Sequence, residues 1–339
     1  MKPTILCRNC KAPRENIEYK CRKCGGTFFV KISWKYSENL RKNFPYINKW
    51  IIEPEFNTQI FKFNNLSMKL DYFTPTLSYK DRGMLNLFSS IKSNEILPSG
   101  SQVNEDSSGN AGASFTFFAK IAGYSPNVFV SANSNRIKLE QIESYGANIS
   151  LIEGSREDLF RAAVSSHGTY LGHTYMAEFI DGIRSLAYEI FEQTDRIPDR
   201  IFIPVSAGTL LLGFIYGIEN LLDSGEIDHI PEIIAVQPSS ICPLFDSVYG
   251  FRQRKYEKSI ADALVTINSP HLKEMTEKIK QYGRVITVTD NEIKDSRNAL
   301  IMKGIYTEYS SATTLAAYEK TDKSKNSLLV LTGSGIKNI

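Results

Sequence analysis

Residues Ile201–Ile218 read IFIPVSAGTLLLGFIYGI, a run without a single charge. Its length reaches the lower limit for a membrane-spanning helix. Its internal order argues against a span. IFIPV is followed by the small-residue turn Ser206-Ala207-Gly208 and then by an apolar run that carries Gly213 and Gly217. A buried strand, a glycine loop and a buried helix account for this order. Similar units recur on both sides. VFVSA (128–132) and ANISLI (147–152) read as strands, followed by helices over 135–145 and 157–164, with Gly146 placed to stop the first helix in a left-handed cap. A helix over 183–193 leads into the strand RIFIPV (200–205), and a helix over 209–222 into the strand EIIAVQP (232–238). VITV (285–288), helices over 290–302 and 312–320, and the strand SLLVL (327–331) complete the series. Short β-rich runs alternating with helices predict an α/β fold with parallel-rich sheets covered on both faces. Ligands of such folds sit beyond the carboxyl ends of the strands, so the turns that follow strands are where chemistry is sought. The polar, basic loop 246–260 reads as a mobile flap.

The chain has 339 residues, of which 42% are apolar and 23% charged. This is ordinary globular usage, enough for about two domains, and it excludes a disordered tail, a collagen-like fibre and a disulfide miniprotein. Forty Lys and Arg against 37 Asp and Glu leave +3, too small an excess for a dedicated nucleic-acid binder. The four His, at 167, 173, 229 and 271, include no pair at the i, i+4 spacing of a helical zinc site. With no membrane span and no secretory apolar core in MKPTILCRNCK, the expectation is a cytoplasmic protein.

Four of the five cysteines form two C-x-x-C knuckles, Cys7-Arg8-Asn9-Cys10 and Cys21-Arg22-Lys23-Cys24. Each knuckle offers two thiolates on one tight turn, and four thiolates complete a tetrahedron around Zn²⁺. Gly25 and Gly26 follow the second knuckle, where positive φ is needed. Iron in the same S4 cage is the alternative metal. A pair of redox disulfides suits a reducing cytosol less well. No fifth ligand suggests an open position, so the metal is expected to be structural. Arg8, Lys11, Arg14, Lys20, Arg22 and Lys23 make this ribbon basic. They read as solvated knuckle residues, with a nucleic-acid contact as the rival.

Four polar stretches stand out in the body of the chain. In Pro75-Thr76-Leu77-Ser78-Tyr79-Lys80-Asp81-Arg82-Gly83, a lysine opens a helix, where the positive end of the dipole and partial burial favour its neutral amine. A neutral amine is what imine chemistry requires. Glu105-Asp106-Ser107-Ser108-Gly109-Asn110-Ala111-Gly112 places two hydroxyls and an amide before an apolar helical run. Pro204 to Leu210 carries a strand into a small-residue loop and then a helix. Its backbone N–H groups and the helix dipole suit a phosphate, although neither the G-x-x-x-x-G-K-[ST] nor the G-x-G-x-x-G pattern is present. Thr332-Gly333-Ser334-Gly335-Ile336-Lys337 follows the last apolar strand directly.

Taken in order, these motifs resemble the fold type II pyridoxal-phosphate enzymes, the tryptophan synthase β-like group. Within that group they resemble most the threonine synthase family, whose members often carry an N-terminal ribbon. The likeness runs from the ribbon to the C-terminus. SSGNAGASFTFFAKIAG with KLEQIESYGANISLIEG is its most specific part, and GIYTEYSSA (304–312) adds to it. The resemblance implies that Lys80 joins the cofactor as an imine and shuttles protons, and that Asn110 hydrogen-bonds its phenolic oxygen. It implies that Ser206, Ala207, Gly208, Thr209 and Leu210 hold the phosphate of pyridoxal 5'-phosphate and that Thr332 faces its ring nitrogen. Ser107 and Ser108 would take the substrate α-carboxylate, Arg136 would be a substrate-phosphate partner, and Cys7, Cys10, Cys21 and Cys24 would bind structural Zn²⁺.

The implied fold is a zinc ribbon (1–32), a large cofactor-binding α/β domain (33–85 and 168–339) and a smaller mobile α/β domain (86–167), assembled as a homodimer. The implied activity is elimination of phosphate from O-phosphohomoserine and hydration to threonine. The alternatives are β-replacement on serine or O-phosphoserine, as in cysteate synthases, a dehydratase, or a cofactor-binding pseudoenzyme. The chain departs from the family pattern in four places. Leu77 and Tyr79 stand where P-T-G-S-F-K-D-R-G has glycine and phenylalanine. NTQIFKFNNLSMKLDY (57–72) lacks the G-x-T-P-L turn. Met176 to Ser185 replaces N-P-x-x-x-E-G-x-K-T, with Asp181, Arg184 and Ser185 in place of Glu, Lys and Thr. That last change favours the β-replacement alternative.

Overall fold

The computed structural model describes residues 2–132, 134, 136–251 and 255–338. The chain begins with β1 (Ile5–Cys7), β2 (Phe28–Val30), β3 (Ile60–Phe63), β4 (Leu66–Leu70), α1 (Lys80–Ser93), β5 (Gln102–Glu105), α2 (Asn110–Ile121), β6 (Ser125–Ser131) and α3 (Arg136–Ser144). Then come β7 (Asn148–Ile152), α4 (Arg156–Ser165), β8 (Thr169–Tyr170), α5 (Ala177–Gly182), α6 (Arg184–Glu192), β9 (Arg200–Pro204) and α7 (Thr209–Ser224). The chain continues with β10 (Glu232–Pro238), α8 (Pro243–Tyr249), α9 (Leu272–Tyr282), β11 (Gly283–Val288), α10 (Asp290–Ile301), α11 (Tyr309–Glu319) and β12 (Ser327–Leu331). Two compact units result, Met1–Phe56 with Lys80–Gly182 and Asn57–Tyr79 with Ile183–Ile339.

The second of these units holds a six-stranded sheet in the order β11-β10-β9-β12-β4-β3. All neighbours are parallel except β3, which pairs antiparallel with β4 through a turn at Asn64, φ +53°. The inner strands β9, β12 and β4 are buried along their whole length. This is why β9 and β12 read as nearly unbroken apolar runs instead of alternating ones, whereas β4, LSMKL, buries Ser67 and Lys69. The edge strand β3 is largely exposed. Met68, Phe202, Ile234, Val236, Leu329 and Leu331 share one core with side chains of α10 and α11. On α6 and α7, a Cβ at Gly217 would come within 2.6 Å of the Ala187 Cβ, so only glycine lets the two helices approach this closely. The apolar stretch 201–218 is thus β9, a turn and α7. No helix among the described residues is long and apolar enough to cross a membrane.

The other unit holds a four-stranded parallel sheet, β7-β6-β5-β8. Gly146 does end α3 in the left-handed region, φ +87°. The N-terminal segment contributes β1 and β2, an antiparallel pair. It is fastened to the rest of the unit by two contacts the sequence did not announce. The Arg14 guanidinium makes a two-point ion pair with Glu178 of α5, one limb at 3.0 Å, and both side chains are buried. Tyr19 packs edge-on against Phe160, Tyr170 and Tyr175 at 5.4–5.8 Å. Lys20 Nζ stands over three of these rings. Arg14 is therefore not the solvated residue expected of it, since its charge is paired inside the unit, while Lys20 is half-buried against the rings.

Several elements differ from the sequence reading. α11 begins at Tyr309, three residues before its expected start. The segments β3–β4, α8 and α9 were unforeseen. The expected flap 246–260 begins as the end of α8, and its residues 252–254 lie outside the described residues, as does Asn135 at the expected start of α3.

Candidate active site

In the unit that contains α1, the lysine of the first motif is the first residue of that helix. It is half-buried, and its Nζ lies 5.6 Å from the centre of the Phe179 ring. A Cβ at Gly83 would meet that ring at 2.5 Å, so the glycine of the K-D-R-G motif is what lets Phe179 of α5 close against α1. Asp81 is buried and accepts a 2.6 Å hydrogen bond from Ser114 of α2. This ties the two helices that start at Lys80 and Asn110.

Asn110 opens α2 behind Gly109, which makes no side-chain cap bond. Ser107, Ser108 and Asn110 are all half-buried in the preceding turn. A Cβ at Gly112 would fall 1.9 Å from the Ser107 carbonyl oxygen, which fixes glycine at that position. Arg136, at the start of α3, is exposed, and its guanidinium lies 3.6 Å from Glu140 one turn later. No hydrogen bond or ion pair among the described residues joins it to the 107–110 turn.

Two groups at this turn escaped the sequence reading. Glu105, the last residue of β5, is fully buried. Its Oε2 accepts from the His173 backbone N–H at 2.9 Å, and its Oε1 lies 3.0 Å from His173 Nδ1. Burial pushes the Glu105 carboxyl up to about 7, against the pull of the His173 N–H and of the Arg156 and Lys80 charges. Burial, then the Lys80 charge, hold His173 well below the usual imidazole range. Beside it, Asp106 is raised by burial, accepts from the Tyr170 hydroxyl at 2.6 Å and pairs with Arg156 at 3.1 Å. The folded value of Glu105 lies above its unfolded one. Its contribution to stability is therefore complete below the ordinary carboxylate range and is lost as pH rises to about 7. Denaturation between pH 4.5 and 7 should show a fall of about 3 kcal/mol that Glu105→Gln removes. An unchanged fall in the variant would place that titration elsewhere.

In the other unit, β9 delivers its chain into the turn 206–208. Gly208 has φ +97° and caps α7 without any side-chain hydrogen bond. The first-turn N–H groups of a helix have no intrahelical acceptors and carry its positive dipole end. An anion is the natural partner for such a set. The turn is braced from outside. Ser206 Oγ bonds Thr266 Oγ1 at 2.9 Å, and Ser269 Oγ donates to the Ala207 carbonyl at 2.7 Å. A Cβ at Gly208 would fall 2.3 Å from Met275 Sδ. An uncapped 16-residue helix behind a glycine turn fits the phosphate of pyridoxal phosphate.

Thr332 follows β12 and is buried with Ser311. Ser311 Oγ accepts from the N–H groups of Thr332 at 2.8 Å and Gly333 at 3.0 Å and lies 3.0 Å from Thr332 Oγ1. Ser78 bridges Gly333, and the Tyr79 N–H donates to the Thr332 carbonyl at 3.0 Å. Lys80 is the next residue in the chain. Leu77, where the motif has glycine, stands in the left-handed region at φ +59°. A side chain there costs about 1–2 kcal/mol, offset in part by the greater unfolded freedom of glycine. Leu77→Gly should raise the unfolding free energy by about 0.5–1 kcal/mol in urea titration. A loss of stability would contradict the strain.

The altered segment 176–185 is accounted for within each unit. Asp181 accepts from the Tyr46 hydroxyl, which also receives Asn86 Nδ2 at 2.9 Å. Arg184 is fully buried and donates to the Tyr188 hydroxyl, which in turn donates to Asn220 at 2.7 Å. It is a core residue and does not face a ligand from the surface.

At the ribbon, the four thiols of Cys7, Cys10, Cys21 and Cys24 lie within 4.8 Å of one another, and none is in a disulfide. The Cys7–Cys24, Cys10–Cys24 and Cys10–Cys21 sulfurs are 3.4, 3.5 and 3.6 Å apart. A tetrahedral zinc with bonds of about 2.3 Å requires edges of about 3.8 Å, so the donor set fits the ion. Gly25 has φ +71°, and a Cβ at Gly26 would meet Cys7 Sγ at 3.1 Å, so both glycines serve the knuckle.

The model of the family described as "Pyridoxal-phosphate dependent enzyme" matches residues 51–333. The chain belongs to that family and is a fold type II pyridoxal-phosphate-dependent enzyme. Its relatives differ in the reaction they carry out. It is 24% identical over 295 residues to a threonine synthase of Synechocystis sp., spanning 84% of this chain and 75% of that one. It is 27% identical over 270 residues to the serine racemase of Dictyostelium discoideum, spanning 76% and 78%. The crystal structure of that racemase superposes with a TM-score of 0.71 at 25% identity, covering 87% of this chain and 97% of the other. Racemases were not among the alternatives read from the sequence.

Proposed function

We propose that the chain is a threonine synthase-like enzyme that eliminates phosphate from O-phosphohomoserine and adds water at the β carbon. The observation that carries the reading is the pairing of Ser78–Tyr79 with Thr332–Gly333, which sets the residue before Lys80 on the backbone of the last motif. Pyridoxal phosphate, when bound, supplies the electron sink for bond-breaking next to the α carbon. In this reading Lys80 holds the cofactor through Nζ and, once displaced by the substrate amine, moves protons at that atom. The N–H groups of Ser206 to Leu210 hold the phosphate at the positive end of α7. Asn110 donates to the phenolic oxygen, and the Thr332 hydroxyl faces the ring nitrogen. Ser107 and Ser108 bind the substrate carboxylate at the start of α2. Arg136, exposed on α3, is assigned to the substrate phosphate.

A second reading, β-chemistry on serine or O-phosphoserine, is favoured by the absence of Asn-Pro in the 176–185 segment and by the burial of Arg184. One screen separates the two. Purified enzyme loaded with pyridoxal phosphate is offered O-phosphohomoserine, O-phosphoserine and L-serine, and phosphate, threonine and pyruvate are measured. Phosphate and threonine from O-phosphohomoserine support the first reading. Turnover of the serine compounds alone overturns it.

The ribbon is proposed to bind one structural Zn²⁺. Cys21→Ser should lower the metal content from about one ion per chain to well below half and loosen the ribbon to protease. Unchanged content would remove zinc from this site. A homodimer belongs to the same reading, and sedimentation at working concentration tests it.

A further inference from the structure

Glu105 and His173 are buried, titratable and unused by the chemistry above. They are 68 residues apart, and the β5–β8 pairing with the turn after β8 brings them together. The Glu105 carboxyl accepts from the His173 backbone N–H at 2.9 Å and lies 3.0 Å from its Nδ1. When Nδ1 carries the proton toward Glu105, the remaining nitrogen, Nε2, is the basic one. Nε2 makes no hydrogen bond among the described residues. The imidazole packs edge-on against Phe179 at 5.6 Å, the same ring that Lys80 Nζ approaches at 5.6 Å from its centre.

We propose that His173 is a second proton-transfer group working with Lys80, and that Glu105 is the positioning residue that fixes its tautomer. The inference rests on Lys80 being the reactive amine. In the step, the N–H bond at the Lys80 ammonium breaks and one forms at His173 Nε2. The positive charge moves from the amine to the ring, where the Glu105 carboxylate faces it. The return step restores both, and no other reactant enters. The charges are arranged for this exchange. Burial first, and after it a charged Lys80, hold His173 neutral, and the second of these restraints is lifted once Lys80 gives up its proton. The groups that set this balance are Lys80 of α1, Glu105 and Asp106 at the end of β5, Arg156 of α4 and Tyr170 of β8.

Two measurements test it. In the full-length chain without added cofactor, ¹⁵N NMR titration should find His173 as the Nδ1–H tautomer. Its midpoint should rise by at least half a pH unit in Lys80→Ala, and an unmoved midpoint would overturn the coupling. In the loaded enzyme, exchange of the α proton of L-serine into D₂O should slow about 100-fold in His173→Gln, with cofactor absorbance retained. Glu105→Gln should shift the pH profile of exchange, and Glu105→Asp should restore it. Exchange within twofold of the parent in His173→Gln, with cofactor bound, would leave the pair only structural. A parent enzyme that exchanges no α proton of any amino acid would count against the functional reading, and the NMR titration would still decide the Lys80–His173 coupling.

Discussion

Arg14→Ala is expected to lower the unfolding free energy by about 3–5 kcal/mol, the range for removing one partner of a buried ion pair. Both limbs of the guanidinium reach Glu178, whose side chain is 0% exposed, so the variant strands a carboxylate without water or counter-charge. Glu178 lies in the first turn of α5, and that helix packs on α1 where a Cβ at Gly182 would strike the Arg82 carbonyl oxygen at 2.6 Å. The loss should therefore reach the helix that begins at Lys80, and cofactor uptake should weaken along with stability. Arg14→Leu combined with Glu178→Leu should recover most of the loss, because the cost lies in the uncompensated charge. Denaturant unfolding checks this. A deficit under 1 kcal/mol in Arg14→Ala would mean that the pair is solvated in solution.

Lys80→Ala should abolish the visible absorbance of the enzyme with pyridoxal phosphate and reduce turnover by at least about 1000-fold. The side chain is half-buried beside Phe179 and carries none of the core, so the variant should unfold within about 1 kcal/mol of the parent. The pairing of loss of colour with retained stability is what separates a reactive amine from a structural one. A variant that stays yellow would move the covalent bond to another lysine.

The contrast between these two residues marks how far the sequence could be read. Lys80 was legible because its signal is local: a lysine among small polar residues, at the start of a helix. The turns at 107–110 and 206–208 were legible for the same reason, since glycine and hydroxyl residues before apolar runs announce uncapped helix starts. Strands β10 and β12 were read to the residue because burial on both faces leaves an unbroken apolar string. β5, QVNE, gives no such signal. Its Asn104 and Glu105 are buried only because the 163–173 segment supplies partners. α9 was missed because Met275 and Ile279 are the only members of its 11 residues that are buried, too few to mark a helical face by eye. Arg14 with Glu178, and Glu105 with His173, are pairs made by tertiary structure across 164 and 68 residues. One sequence shows the residues of such pairs and not their pairing. Among the ribbon charges Arg14 was misjudged for that reason, as nothing local says that it turns inward, whereas Lys11, Arg22 and Lys23 are exposed as expected.

The most direct measurement is borohydride reduction of the enzyme loaded with pyridoxal phosphate, followed by peptide mass spectrometry. Lys80 should carry the phosphopyridoxyl mass at close to one per chain, and Gly208→Ala, which fills the turn before α7 with a Cβ, should sharply reduce it. A label on any other lysine, or none on a folded chain, would contradict the account.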